Sequence, residues 1–477
     1  MQNDKQQLLK RYRRQKRGAL LLFLFASPLI AYLLGWLYLP LIWALLWLAH
    51  EAWFSDHLFY SPKADQRYRF ANASMTPARI GQDALVPDNP IPAGTTVILA
   101  VTVRASWLGH FLDPHLTIDG QRFDFERGTA GKRYLNLGAL QEAWGKEARH
   151  LRPKHCTLAT EAELHAFSLP DFRQQRVMII APHADDAELA AFGLYSVNPE
   201  TLIVTVTQGE AEAEGYETLG LTPSEAARLK GRLRSWDSMS VPLWGGIPQS
   251  ACVQLGYSCM QLSVMAKSPE LPVASPYSGD CDVRPLRRWN TRPLPSDQDG
   301  LPTWNNLLAD LAHLIDDFQP QAIVLPHPQH DPHPDHVAAS QAVTEALART
   351  RHQPAHLLHY ANHLHNNDRW PMGPAGGGIT LPPVFDDARP AMFWSLPLSP
   401  ATQLDKAMAL GMQHDLQGPV ALKKRIRRLV QGALAGRQWP TTGDNEFFRK
   451  AVRAQELFWV STWSPNSSSG NSALENH

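Results

Sequence analysis

The sequence predicts an α/β fold with a Rossmann-like, mostly parallel sheet, preceded by an N-terminal transmembrane segment and a small β-rich domain. Three observations predict it: a long stretch without charges near the N-terminus, a β-branched region after it, and alternating strand and helix patterns from residue 172 onward. At 477 residues the chain is long enough for two or three folded units.

The composition excludes several classes of protein. Lys and Arg number 45 and Asp and Glu number 45, and this zero net charge disfavours a dedicated nucleic-acid-binding protein. The hydrophobic share of 44% excludes a disordered chain. Four scattered cysteines are too few for a disulfide framework or a Cys-rich zinc fold. Whether Cys252 and Cys259 pair, and hence the redox compartment, stays open.

The N-terminus is typical of a membrane protein. Residues 1–17 form a basic tail, and residues 18–50 then contain no Asp, Glu, Lys or Arg. As one helix this stretch would reach about 50 Å, against about 30 Å for the hydrocarbon core of a bilayer. We therefore assign 18–54 as a transmembrane segment made of two short spans, 19–35 and 38–53, in a helical hairpin. A secretory signal is disfavoured because its apolar region spans only about 7 to 15 residues.

The number of crossings decides the topology. Basic residues favour an N-terminus on the inner side, so a hairpin returns the rest of the chain to the cytoplasm. A single crossing would place it outside. We favour the hairpin, and therefore an inner-membrane protein whose main domain lies on the cytoplasmic face.

Residues 68–160 are predicted to form the β-rich accessory domain. The segment 96–103 is β-branched and apolar, and 115–118 and 121–125 flank Asp119-Gly120, a strong signal for a two-residue hairpin turn. The pattern indicates a small sandwich or barrel. We favour a packing or spacing module over a carbohydrate-binding one, because no recognisable site assembles there.

Residues 172–463 are predicted to form the α/β domain, followed by a disordered polar tail, 464–477. Ligand sites in such domains lie beyond the carboxyl ends of the strands. Segments 245–302 and 366–400 are rich in Pro, Ser and Gly and are expected to be long loops. The predicted strands are 176–180, 202–206 and 321–325, and the predicted helices are 187–195, 224–235, 304–318 and 335–349.

The first candidate site is the loop 181–193, directly after the first predicted strand. It releases His183, Asp185 and Asp186 at the edge of the sheet. Because neighbouring side chains of an extended segment point in opposite directions, one aspartate can face a metal beside His183 while the other faces a bound water. The alternative is that one aspartate only caps the following helix.

The second candidate site is the loop 327–336, directly after the strand 321–325. His333 and His336 are three residues apart and Pro334 suits the first helical position, so both rings are expected on one helical face. Two His and one carboxylate are a common catalytic zinc site. The alternative is a surface loop that binds metal adventitiously, but the occurrence of two such loops in one domain favours a built site.

These residues resemble a known family. His183-Ala184-Asp185-Asp186 is similar to the His-Pro-Asp-Asp-Glu signature of the PIG-L/LmbE-like zinc de-N-acetylases, and the segment 333–336 is identical to their His-Pro-Asp-His signature. The resemblance spans about residues 174 to 415. It includes the turn 207–210 and a later helical region with Lys406 and His414.

The resemblance implies a role for each site residue. His183, Asp186 and His336 would bind Zn²⁺. Asp185 would be the general base, and His333 would stabilise the oxyanion or protonate the leaving amine.

The sequence departs from the family pattern in the first motif. Ala184 replaces the usual Pro, and Ala187 stands where the family usually has a Glu that braces the metal ligands, with Glu188 one place later. Reduced activity or altered substrate choice is therefore an open alternative. Arg228 lies where family members often have an Arg that contacts substrate oxygens, and we carry it as a candidate substrate-binding residue, although a solvated helix residue is the favoured interpretation.

Together these patterns predict a membrane-anchored zinc-dependent deacetylase. Its substrate would be an N-acetylated amino sugar in a lipid-linked or cell-envelope glycan, such as lipopolysaccharide or another glycolipid. Its partners would be this substrate and membrane lipid, with no nucleic acid. The alternatives are a weak or inactive glycan-binding envelope protein and a metal phosphoesterase, which generally needs a second metal for which no clear ligand set is found.

Overall fold

The computed structural model describes residues 2–56, 58–81, 83–385, 389–418 and 420–463. The predicted tail, 464–477, lies outside the described residues. In chain order the helices are α1 (Gln2–Leu34), α2 (Tyr38–Ala49), α3 (Asp186–Ser196), α4 (Glu214–Glu217), α5 (Pro223–Ser240), α6 (Leu262–Lys267), α7 (Trp304–Phe318), α8 (Pro334–Leu347), α9 (Pro400–Met412), α10 (Leu422–Ala435) and α11 (Glu446–Ala451).

The strands belong to two sheets. In chain order they are β1 (Ala73–Gly81), β2 (Ala84–Pro87), β3 (Thr96–Ala105), β4 (His115–Ile118), β5 (Gln121–Asp124), β6 (Ala130–Ala139), β7 (Arg149–Lys154), β8 (Cys156–Phe167), β9 (Val177–Ala181), β10 (Thr201–Thr207), β11 (Cys252–Tyr257), β12 (Ala322–Pro326), β13 (His356–Tyr360), β14 (Ile379–Thr380), β15 (Met392–Pro397) and β16 (Gln455–Thr462).

The first two helices form an antiparallel pair. Helix α1 runs unbroken through the basic and the apolar residues and ends at Gly35, whose φ of 95° is disfavoured for residues with a side chain. A further helical turn, His50–Phe54, continues α2, and the two together form the second helical segment. The Tyr12 hydroxyl donates to the Phe54 carbonyl at 3.0 Å, so the basic part of α1 lies beside the end of this segment. By length and composition, Leu9–Leu33 can cross a membrane. Helix α2 has 12 residues, fewer than the about 20 that a membrane-spanning helix needs. The N-terminal apolar helix is confirmed; the second crossing stays a prediction.

The larger sheet has nine strands in the order β14-β6-β3-β8-β1-β2-β7-β4-β5, and all its described pairs are antiparallel. Strands β4 and β5 form the predicted hairpin, with φ of 47° at Asp119 and 85° at Gly120. The sheet curls so that its two end strands meet. The Gly378 N–H, directly before β14, donates to the carbonyl of Arg122 in β5 at 2.7 Å. One face encloses its own apolar core. The other packs against the second sheet.

The second sheet has seven strands in the order β11-β10-β9-β12-β13-β16-β15. Pairings among the first five strands are parallel, and β16 pairs antiparallel with β13 and β15. Alternate residues of β9 enter two cores: Ile179 packs on the α3 side, and Met178 and Ile180 pack on the side of α7 and α8. Helices therefore cover both faces, and the mixed α/β class is confirmed.

Both of the expected long loops contain regular structure, so the prediction that they lack it is wrong. Strands β14 and β15 fall within 366–400, and β11 and α6 fall within 245–302. Strand β11 escapes detection because it buries a polar residue, Gln254, whose side-chain amide donates to the Ser238 hydroxyl at 3.2 Å. Such a partner is brought close only by folding.

Candidate metal centre and active site

The site lies at the carboxyl ends of two adjacent parallel strands. Strands β9 and β12 pair with Ile179 opposite Val324, so the loops that follow them leave the sheet at the same edge. The first loop carries His183 and leads into α3, and the second leads into α8, whose first turn carries His336. The topology therefore brings together two motifs that are about 150 residues apart in the chain.

Three ligand atoms of the two loops converge on one point. His183 Nδ1 lies 3.2 Å from Asp186 Oδ2, His336 Nε2 lies 3.1 Å from the same oxygen, and the two nitrogens are 3.4 Å apart. Zinc–ligand bonds of about 2.0–2.1 Å in tetrahedral geometry separate neighbouring ligand atoms by about 3.3–3.4 Å. The triangle therefore has the size that a tetrahedral Zn²⁺ requires, and such an ion would have one coordination position beyond these three ligands.

Two further carboxylates orient the imidazole rings. Asp335 Oδ2 accepts from His183 Nε2 at 3.1 Å, and Asp331 Oδ2 accepts from His336 Nδ1 at 3.0 Å. Each bond places the ring proton on the nitrogen that faces away from the triangle, so the other nitrogen offers a lone pair to a metal. Asn362 Nδ2 donates to Asp186 Oδ1 at 2.7 Å, and the His183 N–H donates to Oδ2 at 2.9 Å, so both oxygens are held and Oδ2 keeps a lone pair for the triangle.

The charge around the triangle suits a divalent cation. The carboxylates of Asp186, Asp331 and Asp335 are all buried around two imidazoles. Burial alone would lower the pKa of His336, but the charges of Asp186 and Asp331 outweigh it and raise that pKa to about 10. The buried cluster thus has an excess of negative charge, and a bound cation would satisfy it in place of protons.

Asp185 forms an ion pair with a buried arginine, Arg234. Its Oδ1 accepts from Arg234 Nη2 at 2.8 Å, and Arg234 also forms an ion pair with Asp415. Among the described residues, none donates a hydrogen bond to Asp185 Oδ2. Gly209 has φ of 66°, and a Cβ there would lie 2.6 Å from Arg234 Nε, so this position requires glycine. One carboxylate oxygen is held while the other stays available.

His333 caps the N-terminus of α8 beside the triangle. One of its ring nitrogens lies within 4.8 Å of ring nitrogens of His183 and His336. Its Nδ1 accepts from the Asp335 N–H at 3.3 Å, so a neutral ring carries its proton on Nε2. Burial first, and then the charges of His336 and His183, lower the pKa of His333 to about 3. His333 is therefore a neutral hydrogen-bond donor at physiological pH.

The family model for PIG-L, described as GlcNAc-PI de-N-acetylase, matches residues 178–347. This segment is a PIG-L family domain. A search of curated proteins finds no match to the chain.

Among solved structures, the chain is similar to N,N'-diacetylchitobiose deacetylase from Pyrococcus horikoshii, with 14% identity, 64% of this chain and 89% of that chain covered, and a TM-score of 0.34. It is also similar to the zinc-inhibited form of teicoplanin deacetylase Orf2, with 18% identity, 61% and 99% covered, and a TM-score of 0.30. A third is GalB, a 4-carboxy-2-hydroxymuconate hydratase from Pseudomonas putida, with 14% identity, 60% and 96% covered, and a TM-score of 0.29.

Arg228 lies outside this cluster of the PIG-L domain. Its guanidinium pairs with Asp280 at 3.0 Å and donates to the Ser278 carbonyl at 2.8 Å, and its side chain is about half exposed. None of its described contacts involves the triangle. The structure does not bring Arg228 to His183, Asp186 or His336, and its predicted contact with substrate stays a prediction.

The departures from the family signature have a structural counterpart. Glu188, one place beyond the expected Glu, is fully buried and accepts from the Gln413 side chain at 2.8 Å. Gln413 in turn donates to the Ala184 carbonyl at 3.0 Å. The glutamate therefore supports the loop of the first motif through Gln413 rather than through direct contact with His183 or Asp186.

Several residues of the site escape detection in the sequence. Asp331 stands inside the second motif loop, and its five-residue spacing to His336 offered a signal for it. Arg234 lies among other charged residues of α5 and offered none, and Asn362 was missed because it follows β13, a strand that was not predicted. The cysteines are settled by the fold: Cys252 and Cys259 are both free, and Cys259 Sγ lies 3.5 Å from Asp335 Oδ2.

Proposed function

We propose that this chain is a zinc-dependent deacetylase that removes the N-acetyl group from an amino sugar. The observation that carries the proposal is the convergence of His183 Nδ1, Asp186 Oδ2 and His336 Nε2 within 3.4 Å of one another in a PIG-L domain. We also propose that the seven-stranded sheet is of the Rossmann-like type, with the site beyond its carboxyl edge.

These three atoms would hold the metal. When bound, zinc supplies Lewis acidity, which polarises a carbonyl group and lowers the pKa of water. The two imidazoles are held in the right tautomer by Asp335 and Asp331, so the ligand set needs little reorganisation.

The remaining polar groups handle the protons. Hydrolysis adds water to the acetamide carbonyl carbon and breaks its C–N bond, giving acetate and a free amine. Asp185 takes a proton from the attacking water at Oδ2, while Arg234 keeps its other oxygen in place. Asp185 then returns that proton to the departing amine nitrogen. His333 donates its Nε2–H to the oxygen of the acetamide, where negative charge develops.

The substrate is proposed to be a lipid-linked or cell-envelope glycan, because a soluble sugar would not require an anchor. Helix α1 can cross a membrane, and the Tyr12–Phe54 hydrogen bond brings the basic part of α1 and the end of the second helical segment to the same level. By the positive-inside rule this level is cytoplasmic. We therefore place the enzyme in the inner membrane with its PIG-L domain on the cytoplasmic face. A reporter fused after residue 60 should be active in the cytoplasm, and activity only in the periplasm would refute this topology.

The reaction is tested by replacing Asp185 with asparagine in the full chain. Loss of the general base should lower acetate release from N-acetylated amino-sugar lipids by about 10²- to 10⁴-fold. Bound zinc, measured by plasma mass spectrometry, should be retained. Asp317→Asn, a change to an exposed carboxylate paired with Arg292, is the matched control and should change neither value. Full acetate release by Asp185→Asn, or wild-type protein without stoichiometric zinc, would refute the proposal.

A further inference from the structure

Helix α10 carries an apolar stripe that faces away from the protein. Leu422, Ile426 and Leu429 have the four- and three-residue spacing that places side chains on one helical face, and Leu422 and Leu429 are 74% and 73% exposed. Gln431 and Ala435, on the opposite face, are buried. A helix of a globular protein normally buries its apolar stripe. Here the stripe is turned outward, which is typical of a helix that lies in a membrane interface.

Basic residues surround this stripe. Around the axis of an ideal helix, Lys423 lies about 100° from Leu422 on one side of the stripe, and Arg425 lies about 60° from it on the other side. The helix contains no acidic residue. Its basic residues are Lys423, Lys424, Arg425, Arg427 and Arg428. An apolar face between rows of Lys and Arg suits acyl chains below anionic headgroups.

The buried face of α10 packs on the segment that leaves the N-terminal helical pair. Gln431 Nε2 donates to the Glu51 carbonyl at 3.3 Å and to the Ser55 hydroxyl at 3.1 Å. Arg427 Nε donates to the Glu51 carboxylate at 2.5 Å. These residues follow α2 within six positions, so α10 lies where the proposed anchor meets the rest of the chain.

A second exposed apolar element lies beside the same segment. In the turn between β3 and β4, Trp107 is 75% exposed, Leu108 46% and Phe111 41%. Trp53 Nε1 donates to the Phe111 carbonyl at 3.1 Å, and the two rings pack edge to face. Tryptophan is enriched at membrane–water interfaces, where its ring is apolar and its N–H is polar.

Ion pairs hold this segment against the rest of the protein. Asp56 accepts from Arg437 at 2.6 Å, and Asp113, in the turn before β4, accepts from Arg127 at 2.8 Å and from Arg369 at 3.3 Å. Asp113 is buried. Separating these partners would leave buried charges unpaired. The direction in which the N-terminal helices leave the protein is therefore fixed relative to α10 and the 106–111 turn.

We propose that α10 and the 106–111 turn form one docking surface for an anionic phospholipid bilayer. The inference rests on the proposed membrane anchor but not on the proposed reaction. A second copy of the chain is a poorer occupant, because a symmetric contact through the stripe would bring the exposed Lys423 and Arg425 of one α10 against those of the other.

This surface would hold the metal centre close to the bilayer. Lys424 Nζ of α10 lies 3.7 Å from the Glu446 carboxylate, and Phe447 packs edge to face on His363 with ring centroids 5.7 Å apart. The His363 ring lies 5.1 Å from that of His336. Few side chains therefore separate the metal ligands from the docking surface, and the headgroup of a membrane lipid would meet the site without leaving the bilayer.

The inference is tested by spin labels on the full chain in lipid nanodiscs. After Cys281→Ser, single cysteines are introduced by Leu429→Cys on the stripe, by Leu271→Cys at a control site that is 63% exposed, and by Phe25→Cys on α1, where the side chain is 82% exposed. Collision with oxygen, which concentrates in lipid, is compared with collision with a water-soluble nickel chelate. In nanodiscs with phosphatidylglycerol, the oxygen-to-nickel ratio should rise at positions 429 and 25 and stay low at 271.

Any outcome different from this one overturns all or part of the inference. A low ratio at 429 with a high ratio at 25 refutes the docking surface and leaves the anchor intact, whereas low ratios at both refute the anchor as well. Protection of position 429 from both colliders would indicate a protein partner or a second copy. Equal ratios at 429 in phosphatidylcholine and phosphatidylglycerol nanodiscs would refute the preference for anionic lipid. None of these readouts depends on catalysis.

A charge reversal tests the same surface by a second route. Lys423→Glu with Arg425→Glu should abolish the rise in the ratio at position 429 that phosphatidylglycerol produces. Arg79→Glu with Arg351→Glu reverses two exposed charges elsewhere and should leave that rise unchanged. An unchanged rise in the first double variant would refute the electrostatic part of the proposal.

Discussion

Replacing Asp331 with asparagine isolates the contribution of one carboxylate to metal affinity. Asp331 is fully buried, and its Oδ2 accepts from His336 Nδ1 at 3.0 Å and from the Asn362 N–H at 2.8 Å. The amide of asparagine has nearly the same shape and keeps a hydrogen-bond acceptor. The substitution therefore removes charge more than it removes contact.

The expected magnitude follows from the type of bond that changes. A hydrogen bond to a charged group contributes about 1.5–3 kcal/mol and one between neutral groups about 0.5–1.5 kcal/mol, a difference of about 1–1.5 kcal/mol. This difference corresponds to about a five- to twelvefold weaker Kd for zinc. Loss of a carboxylate that orients a metal-bound histidine typically costs about 10- to 100-fold in affinity or activity, so we expect a loss of about tenfold for Asp331→Asn.

The assay is competition for zinc between the full chain and a chromogenic chelator of known affinity. Asp316→Asn is the matched control, because Asp316 Oδ1 accepts two backbone N–H groups at 2.9 Å but contacts no metal ligand. Thermal unfolding of the metal-free protein shows whether either variant is destabilised. A zinc affinity of Asp331→Asn equal to that of the wild type, with a control that behaves as expected, would show that Asp331 does not orient His336.

Three further predictions concern stability and strain. Gly209→Ala should lower activity and thermal stability, because the new Cβ would lie 2.6 Å from Arg234 Nε and the backbone φ of 66° disfavours alanine. Gly215→Ala is the control: its Cβ would meet no atom within 4 Å, so it should change neither activity nor stability. Removal of zinc by a chelator should lower the unfolding temperature, and zinc at about 100 times its Kd should restore about 2.7 kcal/mol; a chelator that has no effect would contradict a resident metal. Burial lowers the pKa of His359 to about 4 from its ordinary value of 6.5. Between these two pH values the ring stays neutral in the folded protein but takes up a proton in the unfolded chain. The free energy of unfolding should therefore fall as the pH drops from about 6.5 toward 4. Urea titrations at several pH values should show a smaller fall for His359→Asn, and an unchanged fall for His313→Asn, since His313 is exposed.

The sequence was informative where function depends on short-range geometry. A strand that ends before a His-rich or Asp-rich loop places those side chains at the edge of a parallel sheet, and the loops at 183–186 and 333–336 do meet at one edge. The N-terminal apolar helix was equally readable, because the length of a helix and its lack of charge are local properties.

Other features of the site depend on contacts between distant parts of the chain. Arg234 is 49 residues from Asp185, and Asn362 is 176 residues from Asp186. Arg234 is one of several charged residues of α5, and Asn362 follows β13, whose pairing with β12 only the structure shows. The pairing of Arg228 with Asp280 is a similar case, since only the family resemblance suggested that Arg228 would contact substrate.

The sequence by itself determined that the chain has an apolar N-terminal helix, an α/β region and two loops able to share a metal. Only the tertiary structure decided which carboxylate orients which imidazole, that β14 joins the larger sheet from residue 379, and that α10 packs on the segment after α2 with its apolar stripe outward. The physical reason is that strand ends and helix periodicity are set by neighbouring residues. The partner of a buried charge is set by which surfaces meet when the hydrophobic cores close.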